Sequence, residues 1–189
     1  MSHYECKICF RPYQYCECDQ KYTAIAKLGE NNNEVKMITI YKLLGFEEGM
    51  ETKVYRCSEG YPTIGKGTKI GPKGAPLEYY TFTVSEKVAD AMMEEKISRI
   101  TRILLRENFY CRLNEDRQII IQSMAYQMGV SGVAKFENMI KALSLKGWQR
   151  AHDEALDSLW AKIQTPERAK RHAKVLLTGN LMEVYKELI

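Results

Sequence analysis

The sequence has no apolar run of the roughly 18 residues that a membrane helix needs, so no spanning segment is expected. Residues 1–13 lack the apolar core of a secretory leader, so synthesis in the cytoplasm without a signal peptide is expected. Internal repeats and low-complexity tracts are also missing, which excludes a solenoid. Charge of one sign is scarce. Lys and Arg number 28 and Asp and Glu 24, a net of +4, which permits an anionic partner without demanding one. No nucleic-acid partner is expected. The three histidines, His3, His152 and His172, share no metal-ligand spacing and are read as surface residues. Wholesale disorder is excluded by a hydrophobic share of 45%.

What is plentiful is cysteine. Six occur in 189 residues, and four lie in the first eighteen, as Cys6-x2-Cys9-x6-Cys16-x-Cys18. Four thiolates suit a tetrahedral zinc, and reducing cytoplasm favours metal over disulfides. A segment this short cannot build its own core, so a structural zinc is expected to supply its fold. Two disulfides and an iron–sulfur cluster are the alternatives. Residues 1–36 carry five basic and five acidic residues, and the tract Gly29-Glu30-Asn31-Asn32-Asn33-Glu34 reads as a linker. The chain therefore divides into an extension, 1–36, and a larger domain, 37–189.

In the larger domain Ile40, Leu43 and Leu44 mark a short helix, which Gly49 ends as a left-handed cap. Residues 52–68 read as a hairpin turning at Ser58-Glu59-Gly60, and 69–78 as a loop or irregular third strand. Thr83-Val84-Ser85-Glu86 fits a capping box opening a long helix, with an apolar face of Val88, Met92, Ile100, Ile103 and Leu104. Further helices are expected over 115–128, from a Ser131 cap through Leu143, and along Trp148, Ala151, Ala155 and Leu159. Thr165-Pro166 starts another that stops at Gly179, and Asn180 caps a last one. The class is α+β: a small helix-plus-hairpin lobe, a long helix, then a helical lobe.

Glu48, Cys57 and Thr63 would come together where the first helix meets the hairpin. From composition alone they are a surface acid, a half-buried thiol and a strand threonine. Their spacing, Glu-x8-Cys-x5-Thr, together with Glu59-Gly60-Tyr61-Pro62-Thr63-Ile64-Gly65-Lys66-Gly67-Thr68, resembles the T-even type of phage lysozymes, endolysins of glycoside hydrolase family 24. The similarity continues through Tyr126-Gln127-Met128-Gly129, Trp148, Trp160 and Gln164-Thr165-Pro166-Glu167-Arg168-Ala169-Lys170-Arg171, and spans about 37–189.

The resemblance implies a two-lobed fold and a muramidase that cuts the β-1,4 bond between N-acetylmuramic acid and N-acetylglucosamine in peptidoglycan. It implies Glu48 as the acid, Thr63 as holder of the attacking water, and Arg168 as the residue that orients Glu48. Glu59, Gly67, Tyr126 and Gln127 would line the glycan groove. No cofactor is expected for catalysis and a monomer is expected; by the resemblance, the wall would be reached through a separate pore for bacterial lysis. Cys57 stands where many relatives carry Asp, and its role as base, nucleophile or water holder is open. Thr68 replaces a His thought to aid the fold, and Lys66 replaces an apolar residue of the turn, with altered glycan contacts expected. Trp148 and Trp160 are read as packing, Lys170 and Lys174 as a solvated face, and Cys111 as a buried thiol. The rival readings are a catalytically silent wall-binding or virion structural protein with the same fold, and an interaction protein working through the N-terminal knuckle.

Overall fold

The structure is a computed structural model that describes residues 39–188. Cys6, Cys9, Cys16 and Cys18, and the boundary at 36, lie outside the described residues. The first element, α1 (Ile40–Glu48), is capped by Thr39, whose hydroxyl accepts from Lys42 N at 3.3 Å. Such a cap satisfies one of the orphan donors of a helix start. Leu43 and Leu44 are fully buried. Gly49 ends the helix as expected, but its ψ of −167° lies outside the left-handed helical region. With φ at 68° only glycine adopts this geometry readily, and it turns the chain straight into the sheet.

That sheet has three antiparallel strands in the order β1 (Glu51–Arg56), β2 (Pro62–Gly65) and β3 (Thr68–Lys69). The register sets Tyr55 opposite Thr63, and Thr63 opposite Lys69. An irregularity between Glu51 and Tyr55 bends β1. The expected loop after it contains a single 3₁₀ turn, Leu77–Tyr79.

The long helix α2 (Glu86–Leu104) is capped by Ser85, which accepts from Val88 N at 3.4 Å. The expected Thr83 cap is therefore two residues early. Its buried face is Ala89, Met93, Ile97, Ile100, Thr101 and Leu104, while Val88 and Ile103 are exposed. The buried stripe is rotated from the expected one because Ala89, Met93 and Ile97, and not Val88, keep the 3.6-residue period with Ile100 and Leu104.

The helical lobe follows as α3 (Asn108–Cys111), α4 (Glu115–Met128), α5 (Val130–Ala134), α6 (Glu137–Ser144), α7 (Trp148–Leu156), a π-helical turn (Trp160–Gln164), α8 (Pro166–Thr178) and α9 (Leu181–Val184). Ser131 caps nothing: it lies inside α5, and the chain breaks again before α6. Leu159 is exposed rather than a continuation of the α7 stripe. Trp160 is buried, Trp148 half-buried beneath the Arg117 guanidinium at 3.7 Å, and the half-buried Cys111 donates to Leu105 O at 3.3 Å. Pro166 opens α8 and Gly179 closes it in a left-handed cap. Leu43 and Leu44 join Ile120, Ile121, Met124, Leu176 and Tyr185 in one core, so α1 belongs by packing to the helical lobe. The acid at its end is thus carried on the larger, better-packed body. No helix among the described residues is long and apolar enough to cross a membrane.

Candidate active site

Glu48 is the last residue of α1. Its Oε1 accepts from Arg168 Nη1 at 2.6 Å, with the two side chains 15% and 6% exposed. Arg168 stands in the first turn of α8, where Pro166 at N1 starts the helix. Its Nη2 donates to Ser123 Oγ at 2.9 Å on α4, which ties the ion pair to the middle of the helical lobe.

From the other side the β2–β3 turn presses on Glu48. Gly67 sits there at φ 75°, and a Cβ on it would lie 2.6 Å from Glu48 Oε2. The expected glycan-lining role of Gly67 thus meets a steric fact, close approach to the carboxylate itself. Gly67→Ala is expected to push Glu48 off Arg168, breaking the 2.6 Å contact. The backbone strain adds about 1–3 kcal/mol of destabilisation. The NMR signals of the Arg168 guanidinium and urea unfolding check the two parts separately.

Cys57 lies one residue beyond β1, and the turn holds it by backbone bonds: its N donates to Tyr61 O at 3.0 Å and its O accepts from Gly60 N at 2.8 Å. Burial pushes its thiol up, but a hydrogen bond from Thr63, the backbone N–H groups of Tyr61 and Glu59, and the Lys69 ammonium outweigh it. The thiol ends below its ordinary range. The sheet register explains this, since Tyr55, Thr63 and Lys69 stand side by side across the three strands. Thr63 is 2% exposed, and its hydroxyl has one hydrogen for two acceptors, Tyr61 O at 3.0 Å and the Cys57 sulfur. That hydrogen can turn to the sulfur when the thiol ionises. Tyr55 links the two halves of the site: its phenol is raised by burial, then by Glu48, Cys57 and Glu51.

Other expected groove residues are already engaged. Tyr126 is 2% exposed and its hydroxyl donates to Lys66 O at 2.5 Å, so its ring is a wall between the sheet turn and α4 with no face open to a sugar. Gln127 Oε1 accepts from Trp160 Nε1 at 2.9 Å and its Nε2 donates to Thr165 Oγ1 at 3.3 Å, which fixes the amide while leaving it one further donor and one further lone pair. Glu59 is exposed and pairs with Lys69 at 2.7 Å. Lys66 turns to Asp90 at 2.5 Å and Glu86 at 3.6 Å on α2 instead of toward glycan. Lys170 and Lys174 are exposed, as expected.

Sequence reasoning missed three groups. The Lys96 ammonium lies 3.7 Å over the Tyr126 ring, and burial, opposed by Glu48 and aided by Lys69 and Arg168, pulls it down to about 8. A second ion pair joins Glu47 to Arg171 at 2.7 Å. His172, expected at the surface, is fully buried between Ser123 and Tyr185. No signal in a polar run such as Arg168-Ala169-Lys170-Arg171-His172 marks one member as internal. Among the described residues no cluster of His, Cys, Asp or Glu could hold a metal.

Comparison with known proteins fits this arrangement. The pre-baseplate central spike protein Gp5 of Enterobacteria phage T4 is 32% identical over 164 residues, covering 76% of this chain and 28% of its own length. The chain thus spans under a third of that relative. Probable T4-type lysozyme 1 of Dictyostelium discoideum is 29% identical over 76% of this chain and 96% of its own length. Probable T4-type lysozyme 2 of the same organism is 28% identical over 75% and 95%. Residues 46–175, which include Glu48, Cys57, Thr63 and Arg168, match the phage lysozyme family. With a mainly helical α+β fold around a clamped glutamate, the chain belongs to the phage lysozyme family.

Proposed function

We propose that the chain is a muramidase that hydrolyses the β-1,4 bond between N-acetylmuramic acid and N-acetylglucosamine in peptidoglycan, for bacterial lysis. The observation that carries this is the carboxyl group of Glu48, clamped by Arg168 and facing the sheet that bears Cys57 and Thr63. Glycosidic cleavage needs a proton on the leaving oxygen and an attack on the anomeric carbon from the other side. Glu48 reacts in its protonated form, with Oε1 still on Arg168 and the proton on Oε2, and gives that proton to the glycosidic oxygen as the C–O bond breaks. A water held at Cys57 and Thr63 adds to the anomeric carbon, and its proton passes to the Cys57 thiolate. Configuration inverts, and solvent returns both groups to their starting states. The depressed thiol supports Cys57 as the ionisable partner, with the Thr63 hydroxyl turned to its sulfur.

The deciding experiment is clearing of a peptidoglycan suspension by the wild-type chain and by Glu48→Gln. Clearing by the first alone supports the enzyme. No clearing by either at any pH supports the second reading, a silent wall-binding or virion structural protein. The similarity to a protein named for a baseplate spike favours that alternative.

A thiolate base makes the rate fall as pH drops through the thiol's lowered value. Cys57→Asp, whose carboxyl ionises near ~4, is expected to keep activity and carry its acidic limb to lower pH. Cys57→Ser, which cannot ionise, is expected to lose about 100-fold. Equal rates in both variants reduce Cys57 to a spacer.

For Cys6, Cys9, Cys16 and Cys18 the proposal is one structural zinc on four thiolates. Elemental analysis of protein purified without chelator is expected to find one zinc per chain, lost on Cys6→Ser. Absent metal together with blocked thiols identifies disulfides instead.

A further inference from the structure

Glu47 and Glu48 are adjacent, and each is paired with an arginine of α8. Arg171 donates to both oxygens of Glu47, at 3.1 and 2.7 Å, and Arg168 donates to Glu48 at 2.6 Å. Between these pairs runs a buried line of hydrogen bonds in which every hydrogen can be assigned. The Tyr185 hydroxyl lies 2.8 Å from Glu47 Oε1 and 2.7 Å from His172 Nδ1. An ionised carboxylate only accepts, so the phenol must donate to Glu47. Its one hydrogen is then used, and the contact with His172 is a hydrogen bond only if Nδ1–H donates to the phenol oxygen.

Burial, then Arg168 and Arg171, push the His172 imidazole well below its ordinary value, so it carries no second hydrogen. The charged groups around it are these two arginines, with Glu47 and Glu48 on α1 beyond them; Tyr185 and the Trp160 ring complete its walls. Its Nε2 is therefore an acceptor, 2.8 Å from Ser123 Oγ. Ser123 donates there, and its oxygen accepts from Arg168 Nη2 at 2.9 Å. The donors thus point one way: Arg168 to Ser123, Ser123 to His172, His172 to Tyr185, Tyr185 to Glu47.

The line matters because Arg168 has few other holds. Its Nε is buried and makes no hydrogen bond among the described residues, so the guanidinium plane is set by Glu48 and Ser123. A serine inside a helix can return its hydroxyl hydrogen to the preceding turn's carbonyl. Here His172 Nε2 takes that hydrogen and leaves the serine lone pairs turned to Arg168.

We propose that His172, with its hydrogen on Nδ1, is a positioning residue that couples the Glu47–Arg171–Tyr185 cluster to Arg168 and so fixes the Glu48 carboxylate. The catalytic part of this rests on Glu48 being the acid of the proposed muramidase. The geometric part stands without it.

Two measurements test it. Nitrogen-15 NMR of the wild-type chain is expected to show a protonated Nδ1 and a bare Nε2 on His172, with separate, slowly exchanging Nη–H signals for Arg168. In Ser123→Ala and in His172→Val those arginine signals are expected to average. The opposite tautomer, or arginine signals indifferent to both substitutions, overturns the proposal. On peptidoglycan each substitution is expected to lower kcat about ten-fold with KM little changed, and the double variant to fall no further, because residues acting through one line are not additive. Ser123→Ala removes a single atom and guards against a mere failure to fold. Additive losses, or losses confined to stability, overturn the coupling. Absence of turnover in the wild type counts against the muramidase reading, and the NMR result then decides the positioning by itself.

Discussion

Replacing Glu48 by Gln is expected to lower turnover on peptidoglycan by about a thousand-fold, within the range that a positioned general acid contributes. The amide keeps the shape of the side chain, and its oxygen can still accept from Arg168 Nη1, now at 2.6 Å from the carboxylate. What it lacks is a proton for the leaving oxygen, which must then depart as an alkoxide. The loss therefore falls on kcat, with KM and the circular dichroism spectrum little changed. A Glu48→Gln chain that clears walls at the wild-type rate would remove Glu48 from the chemistry.

Arg168→Met is expected to cost about 3 kcal/mol of stability as well as most of the activity. Both partners of the pair are largely shielded, and removing one strands the other's charge away from water. The stranded group here is the carboxylate of Glu48, and the Ser123 oxygen loses its donor at the same time. Glu48→Gln in the Arg168→Met background is expected to recover part of the loss, because the uncompensated charge is gone. Urea unfolding of the four proteins in the cycle measures this, and a coupling of about 1–3 kcal/mol is expected. Strict additivity would mean that the pair is not energetically linked.

Four ends of elements were readable from the chain because their chemistry is local, while the Thr83 and Ser131 caps were not where expected. Gly49 after Glu48, Pro166 after Thr165, Gly179, and Asn180 before Leu181 each act on a neighbour within a few residues. The Glu-x8-Cys-x5-Thr spacing was legible only through the resemblance to phage lysozymes, because a surface acid, a thiol and a strand threonine carry no local mark of their own. The rest of the site depends on partners far along the chain. His172 meets Ser123 from 49 residues before it, and Tyr126 meets Lys66 from 60 residues before it. Gln127 is a further case. It was read beside Tyr126 as a groove residue, and the chain gave no sign that Trp160 and Thr165, 33 and 38 residues away, would hold its amide. Such engagement leaves no trace in local periodicity.

The span of those contacts sets an order of assembly during synthesis. The acid and its clamp are 120 residues apart, and Glu47 and Tyr185 are 138 apart. A ribosome adding about 5–20 residues per second exposes Glu48 several seconds before α8 can reach it. Until then the carboxylate lacks its arginine, although the sheet can already pack on α2 through Lys66 and Asp90. The contact that fixes the Glu48 carboxyl is therefore among the last to form as the chain is made, and it waits for α8.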